Sequence, residues 1–219
     1  MADITLYGPS FSSFLRSVRL MCHYKGLTTE NTLAPFGERI APFSDAHAKL
    51  HPFKKMPVLI DGDVVLPESL AIAEYLESKP GPKLFPADAV SKARVLSDGN
   101  MLALYFSKPV MGQLVLEFAM PKGENGEVRL DVAKNNLPAV EALAAWLAER
   151  IGDNTYLCAG QFTYCDAIVL PVLDYLTQLP APFNIAEQYP AVMRYLAHHR
   201  AAPYAQGVLG PADLSELTR

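Results

Sequence analysis

Three hydroxyls crowd one short stretch near the start of the chain, Leu6-Tyr7-Gly8-Pro9-Ser10-Phe11-Ser12-Ser13-Phe14-Leu15-Arg16-Ser17-Val18-Arg19. Ser10, Ser12 and Ser13 stand where an alternating pattern gives way to a helical one, and taken alone they are ordinary helix caps. A second stretch, from Leu50 to Leu76, sets Lys54-Lys55 before Met56-Pro57 and then Glu68-Ser69 directly after Pro67, where a helix is expected to begin. A third reactive set is set aside on spacing. Cys22, Cys158 and Cys165 include no CxxC pair, and no His/Cys cluster has zinc spacing, so neither a disulfide framework nor a structural metal is expected.

The elements that must hold these residues can be read from periodicity. Asp3 to Tyr7 alternates as a strand, Gly8-Pro9 ends it, and Phe14, Leu15, Val18, Met21 and Cys22 recur at helical spacing until Gly26. Cys22 then lies on the apolar face of that helix, as core. A strand is expected around Thr28 to Leu33, followed by an irregular stretch. Pro57–Ile60 and Val64–Leu66 flank Asp61-Gly62-Asp63, a hairpin signal, and a helix from Pro67 runs to about Ser78.

This order makes residues 1–79 a mixed α/β domain, followed by a turn-rich linker at 80–88 that opens on Pro80-Gly81-Pro82. Beyond it the apolar residues follow helical spacing, most clearly Leu137, Val140, Leu143, Ala144, Leu147 and Ile151, so residues 89–219 are expected to be all helical. Thr163-Tyr164-Cys165-Asp166 reads as a capping box with Asp in place of Glu, a structural role, opening a helix from Ala167 to Leu179 in which Pro171 should add a kink.

Bulk properties narrow the partners. The net charge is -4 and no Lys/Arg run exceeds two residues, which leaves no electrostatic footprint for nucleic acid or a membrane anchor. The apolar run Ala167–Leu173 is far short of the roughly 18 to 20 residues of a membrane span. The start at Met1-Ala2-Asp3 has no basic segment and no long apolar segment, so a cytoplasmic protein is expected.

The stretch Leu50–Leu76 closely resembles the glutathione-site segment of soluble glutathione transferases: a Pro before a strand, an Asp-Gly hairpin, then Pro-Glu-Ser at a helix start. The serine-containing opening is similar to that of bacterial and plant members. The likeness continues through Tyr156–Leu173 and the tail from Tyr189-Pro190-Ala191-Val192-Met193 to Pro203. It implies a thioredoxin-like N-terminal domain before an all-α domain, glutathione as co-substrate with no metal, a cytosolic detoxifying transferase and a homodimer.

The resemblance also implies roles, which match what glutathione needs. Glu68 and Ser69 would receive the γ-glutamyl end, with helix N–H groups and a hydroxyl for its carboxylate and Glu68 for its ammonium. Met56-Pro57 would be a cis peptide whose Met56 backbone pairs with the cysteinyl part. Lys55 would meet the glycine carboxylate. Family members hold the thiol with a Tyr, Ser or Cys near the first helix. Aligning on Val18-Arg19 puts Ser12 there as a hydrogen-bond donor, with Ser10 and Ser13 as alternatives of register.

The thiolate would attack a small hydrophobic electrophile held between the domains. Its expected walls are the loop after Tyr7 and the helix near Asn100–Tyr105 and Met111, with Tyr105 or Phe106 as candidates and Gly112–Met120 assignable to site or core. Peroxidase, isomerase or dehalogenase chemistry on the same thiolate, or a non-catalytic interaction module, are the alternatives. Disulfide exchange is disfavoured because no cysteine stands at positions 10 to 13. His51 is expected to border the site, and His198-His199 to be at the surface or partly packed.

Overall fold

The computed structural model describes residues 2–211 and 213. A four-stranded sheet forms first, from β1 (Ile4–Tyr7), β2 (Thr29–Thr32), β3 (Val58–Asp61) and β4 (Val64–Pro67), in the order β2-β1-β3-β4. β1 pairs parallel with β2 across helix α1 (Ser13–Tyr24), and antiparallel with β3 in the register Thr5↔Ile60, Leu6↔Leu59, Tyr7↔Val58. The Asp61-Gly62-Asp63-Val64 hairpin joins β3 to β4 as the turn chemistry requires, with Gly62 at φ 59°.

Alternation along the strands divides the sheet into two faces. Ile4, Leu6 and Leu59 join the main core beneath α1 and helix α3 (Ser69–Leu76), while Tyr7, Val58 and Ile60 form a smaller cluster with Leu50. Two details depart from expectation. Pro67 closes β4 instead of opening α3, because Glu68 turns the chain at φ 70° and serves as the N-cap. The stretch after β2 contains helix α2 (Asp45–Leu50), capped by Ser44, whose six residues are too few for helical periodicity to register.

After α3, residues 77–88 carry neither strand nor helix. The remaining main elements are helical: α4 (Ala89–Met101), a widely wound stretch from Leu102 to Val115, α5 (Leu116–Ala119), α6 (Leu130–Ile151), α7 (Tyr164–Leu176) and α8 (Pro190–Ala201). The fold is therefore a thioredoxin-like domain followed by an all-helical one. The wide stretch is π-helical on both sides of Ser107 and contains Pro109. Proline lacks an N–H and crowds the carbonyl four residues back, and a wider turn relieves both.

All thirteen residues of α7 are buried, which makes it the axis of the molecule. It runs uninterrupted through Pro171 and packs on α1, α4 and α8. α4 can approach only because Gly99 lies at the crossing: a Cβ there would stand 2.4 Å from the Tyr164 ring. At the start of α7 the buried Asp166 carboxylate accepts from the Thr163 N–H at 2.8 Å, the Thr163 hydroxyl at 2.9 Å, the Leu157 N–H at 2.9 Å and the Tyr195 hydroxyl at 2.7 Å. The expected capping box is present and holds the preceding loop as well.

The three cysteines are free. Cys22 is core, and burial pushes its thiol up to about 12. His199 corrects the surface reading, being fully buried between Tyr195 and Phe162. Its Nδ1 accepts from the Tyr204 hydroxyl at 2.5 Å, and its Nε2 donates to the Thr155 carbonyl at 3.1 Å, so the neutral ring is satisfied. Burial lowers its pKa to about 4, with His198 adding to the effect.

Because the folded pKa is below that of a free histidine, the unfolded chain binds the proton first, and stability is lost as pH falls from about 6.5 towards 4. His199→Gln removes this titration. Chemical denaturation across that window should show a loss about 3 kcal/mol steeper in the parent than in the variant. Equal pH slopes would mean that His199 is protonated in the folded state.

Candidate active site

Two cavities meet at Lys55-Met56. The smaller, of about 170 Å³, is lined by Phe14, His51, Lys55, Met56, Pro57, Glu68 and Ser69. The larger, of about 700 Å³, reaches from Pro9, Phe11, Ser12 and Ser13 past Leu33, Phe43 and Met56 to Ala103, Leu104, Ser107, Met111, Leu116 and Met120. Lys55, Met56, Pro57, Glu68 and Ser69 are thus brought together in one cavity, and Ser12 lies in the wall of its neighbour.

Met56-Pro57 is cis, as the sequence reading has it. The turn before it is held by a residue that reading did not single out. Buried His47, on α2, accepts from the Phe43 N–H at Nδ1 and donates from Nε2 to the Lys55 carbonyl, both at 3.1 Å. Burial pulls the His47 pKa down, so this neutral tautomer is the one favoured. Ser44 followed by a helix-forming segment was the only local signal for it.

Glu68 is placed with similar care. His51, itself buried, accepts from the Phe53 N–H at 3.1 Å and donates to Glu68 Oε1 at 3.1 Å, leaving the rest of a largely exposed carboxylate turned to the cavity. The backbone of Glu68, at φ 70° and ψ 117°, is in a region that costs a non-glycine residue about 1 to 3 kcal/mol and is retained mainly at functional sites. Ser69 opens α3, so its hydroxyl and the first free N–H groups of the helix lie beside that carboxylate.

The serine loop has its own supports. Gly8, at φ 147°, passes so close to the cis turn that a Cβ would lie 2.8 Å from Leu15 Cδ1 and 3.3 Å from Met56 Cβ. Ser12 is the N-cap of α1, and its oxygen accepts weakly from the Leu15 N–H at 3.4 Å, which leaves the hydroxyl hydrogen available to an acceptor in the cavity. Ser13 lines the same wall, whereas the Ser10 hydroxyl is buried and lines neither cavity. The nearby Tyr7 hydroxyl is committed elsewhere, donating to the Ile40 carbonyl at 3.1 Å.

Across the domain junction, Tyr175 of α7 donates to the Phe11 carbonyl at 2.7 Å. Burial pushes the Tyr175 hydroxyl up to about 12, so it remains a donor throughout the neutral range. Arg16 lies 4.5 Å over the Tyr175 ring, donates to the Ser10 carbonyl at 3.2 Å and faces Asp174 at 3.6 Å.

The helical wall is the expected stretch without its expected aromatics. Phe106 is buried in the core, and Tyr105, at 67% exposure, lines neither cavity. Ala103, Leu104 and Met111, from the expected wall, line the cavity, and Ala103, Ser107, Met111, Leu116 and Met120 follow one another there at steps of four and five residues. The π winding keeps such a row on one face, where an α-helix would rotate it away. Part of the Gly112–Met120 stretch therefore belongs to the cavity.

Residues 6–84 match the sequence profile of the glutathione S-transferase N-terminal domain, and residues 131–198 that of the C-terminal domain. Glutathione S-transferase 1 of Dianthus caryophyllus is 34% identical over 60% of this chain and 59% of that one. A glutathione S-transferase of Triticum aestivum is 31% identical over 69% of this chain and 71% of its own. The theta class glutathione S-transferase of Xanthomonas axonopodis pv. citri, solved with glutathione bound, shares the fold at a TM-score of 0.77 and 22% identity, covering 97% of this chain and 100% of that one.

The strain at Glu68 is measurable by comparing two variants that both lose the His51 contact. Glu68→Gly should melt roughly 2 to 4 °C above Glu68→Ala, about 1 kcal/mol, because only glycine relaxes at positive φ. Equal melting temperatures would mean that the turn is unstrained.

Proposed function

The chain belongs to the glutathione S-transferase family, and on that footing we propose that its smaller cavity holds glutathione while Ser12 delivers the thiol, as thiolate, to an electrophile in the larger one. One observation carries the reading: the two cavities share the Lys55-Met56 wall, and Ser12, in the wall of the larger one, caps a helix with its hydroxyl hydrogen uncommitted.

In this reading the γ-glutamyl carboxylate takes the N–H groups at the start of α3 and the Ser69 hydroxyl, and Glu68, steadied by His51, takes the ammonium. The Met56 backbone, next to cis Pro57, pairs with the cysteinyl residue, and Lys55 meets the glycine carboxylate. The thiol then points at the N-terminus of α1. A hydrogen bond from Ser12 to the anion contributes about 1.5 to 3 kcal/mol, roughly 1 to 2 pKa units off a free thiol near ~8.5, and the helix terminus adds to it. The proton leaves to water, and the thiolate sulfur forms the bond to the electrophile as its leaving group departs.

A cytoplasmic homodimer, with its domains dividing at residues 80–88, completes the proposal. Size-exclusion chromatography should return twice the chain mass, and elution at the monomer mass would remove the dimer.

The Ser12 role is checked by calorimetric titration with glutathione followed by ultraviolet thiolate absorbance against pH. The parent should bind saturably with a depressed thiol pKa, and Ser12→Ala should bind comparably but raise that pKa by about 1 to 2 units. If Ser10→Ala or Ser13→Ala raises it and Ser12→Ala does not, the donor is the other serine. No binding at millimolar glutathione would overturn the transferase reading.

A further inference from the structure

The larger cavity has a charge character that the overall balance hides. The chain carries a net charge of -4, yet the side chains lining this cavity include Arg39, Lys54, Lys55 and Lys108 and, among the described residues, no carboxylate. Lys54 is partly neutralised by Asp45 at 3.4 Å, and Arg39 lies close enough to influence Tyr7. Among the described residues neither Lys55 nor Lys108 makes an ion pair with its ammonium.

Lys55 sits at the seam and belongs to both cavities, whereas Lys108 lines the larger one alone. Lys108 rises from the π-wound wall between Leu104 and Met111 and lines the same cavity as Phe43. Phe43 and Leu104 are 68% and 67% exposed, so the mouth is apolar on both banks. An exposed lysine there lays its methylenes along the apolar wall and keeps its ammonium at the rim. At the rim of an apolar cleft whose lining charges are of one sign, that ammonium acts on a bound ligand more strongly than an isolated surface charge would.

We propose that this cavity selects amphiphilic electrophiles that carry a negative charge, an aryl or alkyl body bearing a carboxylate or sulfonate, and that Lys108 is the residue that reads the charge. The inference rests on the proposed function for which cavity takes the electrophile. Its physical content is independent of turnover. The body gains from Phe43, Leu104, Met111 and Leu116, the anion gains from Lys108, and a cationic analogue of equal size is repelled.

The test uses two fluorescent probes with the same apolar body, anilinonaphthalenesulfonate and its uncharged counterpart phenylnaphthylamine, titrated into the full-length protein. The parent should prefer the sulfonate by about three- to tenfold, more than an exposed ion pair gives in open solvent, and the preference should shrink with added salt. Lys108→Met should reduce the preference towards unity and Lys108→Glu should reverse it, with phenylnaphthylamine binding little changed.

Gly112→Trp locates the probes, because a Cβ at Gly112 meets nothing within 4 Å and the indole would project into the space the cavity offers. It should displace both probes together. Equal affinity for the two probes in the parent, an unchanged ratio in both Lys108 variants, or probe binding indifferent to Gly112→Trp would each overturn the proposal. Failure of the transferase reading registers separately, as absent glutathione binding in calorimetry.

Discussion

The Asp174 carboxylate is fully buried, and the loop that leads to Ser12 hangs from it. Its oxygens accept from Arg200 Nε at 2.7 Å, the Gly210 N–H at 2.8 Å and Gln178 Nε2 at 3.1 Å, and face the Arg16 guanidinium at 3.6 Å. Arg16 in turn donates to the carbonyls of Ser10, Gly210 and Pro211. A buried charge is tolerated only when it is fully partnered, and here the partners come from α1, the turn after α7, α8 and the C-terminal segment. The need to satisfy one carboxylate therefore fixes where four parts of the chain meet.

From that junction the site follows by short steps. Tyr175, next to Asp174 on α7, anchors the Phe11 carbonyl, so the loop is held on either side of the point where Ser12 caps α1. On the other side of the cavity neutral His47 holds the turn before Pro57, and His51 aims Glu68. Neither histidine needs to touch a ligand. Both satisfy backbone donors with one nitrogen and position a site group with the other, an arrangement open only to a ring with two distinct nitrogens.

What could be read from the sequence was what local chemistry encodes. The alternation through Ile4 and Leu6, the Asp-Gly hairpin and the Thr163/Asp166 capping box each declare themselves within a few residues, the cis bond before Pro57 is implied by the resemblance, and all are present. The cluster Lys55, Met56, Pro57, Glu68 and Ser69 could be named for the same reason, through its resemblance. What escaped depends on packing or winding. The burial of His199 comes from Tyr195, Phe162 and Tyr204, which adjacent sequence does not weigh. Tyr105 and Phe106 were favoured over Ala103 and Ser107 because the π winding changes the helix phase. The Tyr175–Phe11 bond joins residues 164 positions apart and has no local signature.

That last contact couples two properties usually thought of as belonging to separate modules. The helical domain supplies the wall of the larger cavity from Ala103 to Met120, and through Tyr175 and Asp174 it also steadies the loop that leads to Ser12. Recombination that exchanged the helical half for a cousin's would therefore bring in a new cavity wall and a new setting of the Ser12 loop in a single event. The lining of the cavity and the placement of the α1 cap are inherited together in such an architecture, and a lineage cannot change one without disturbing the other.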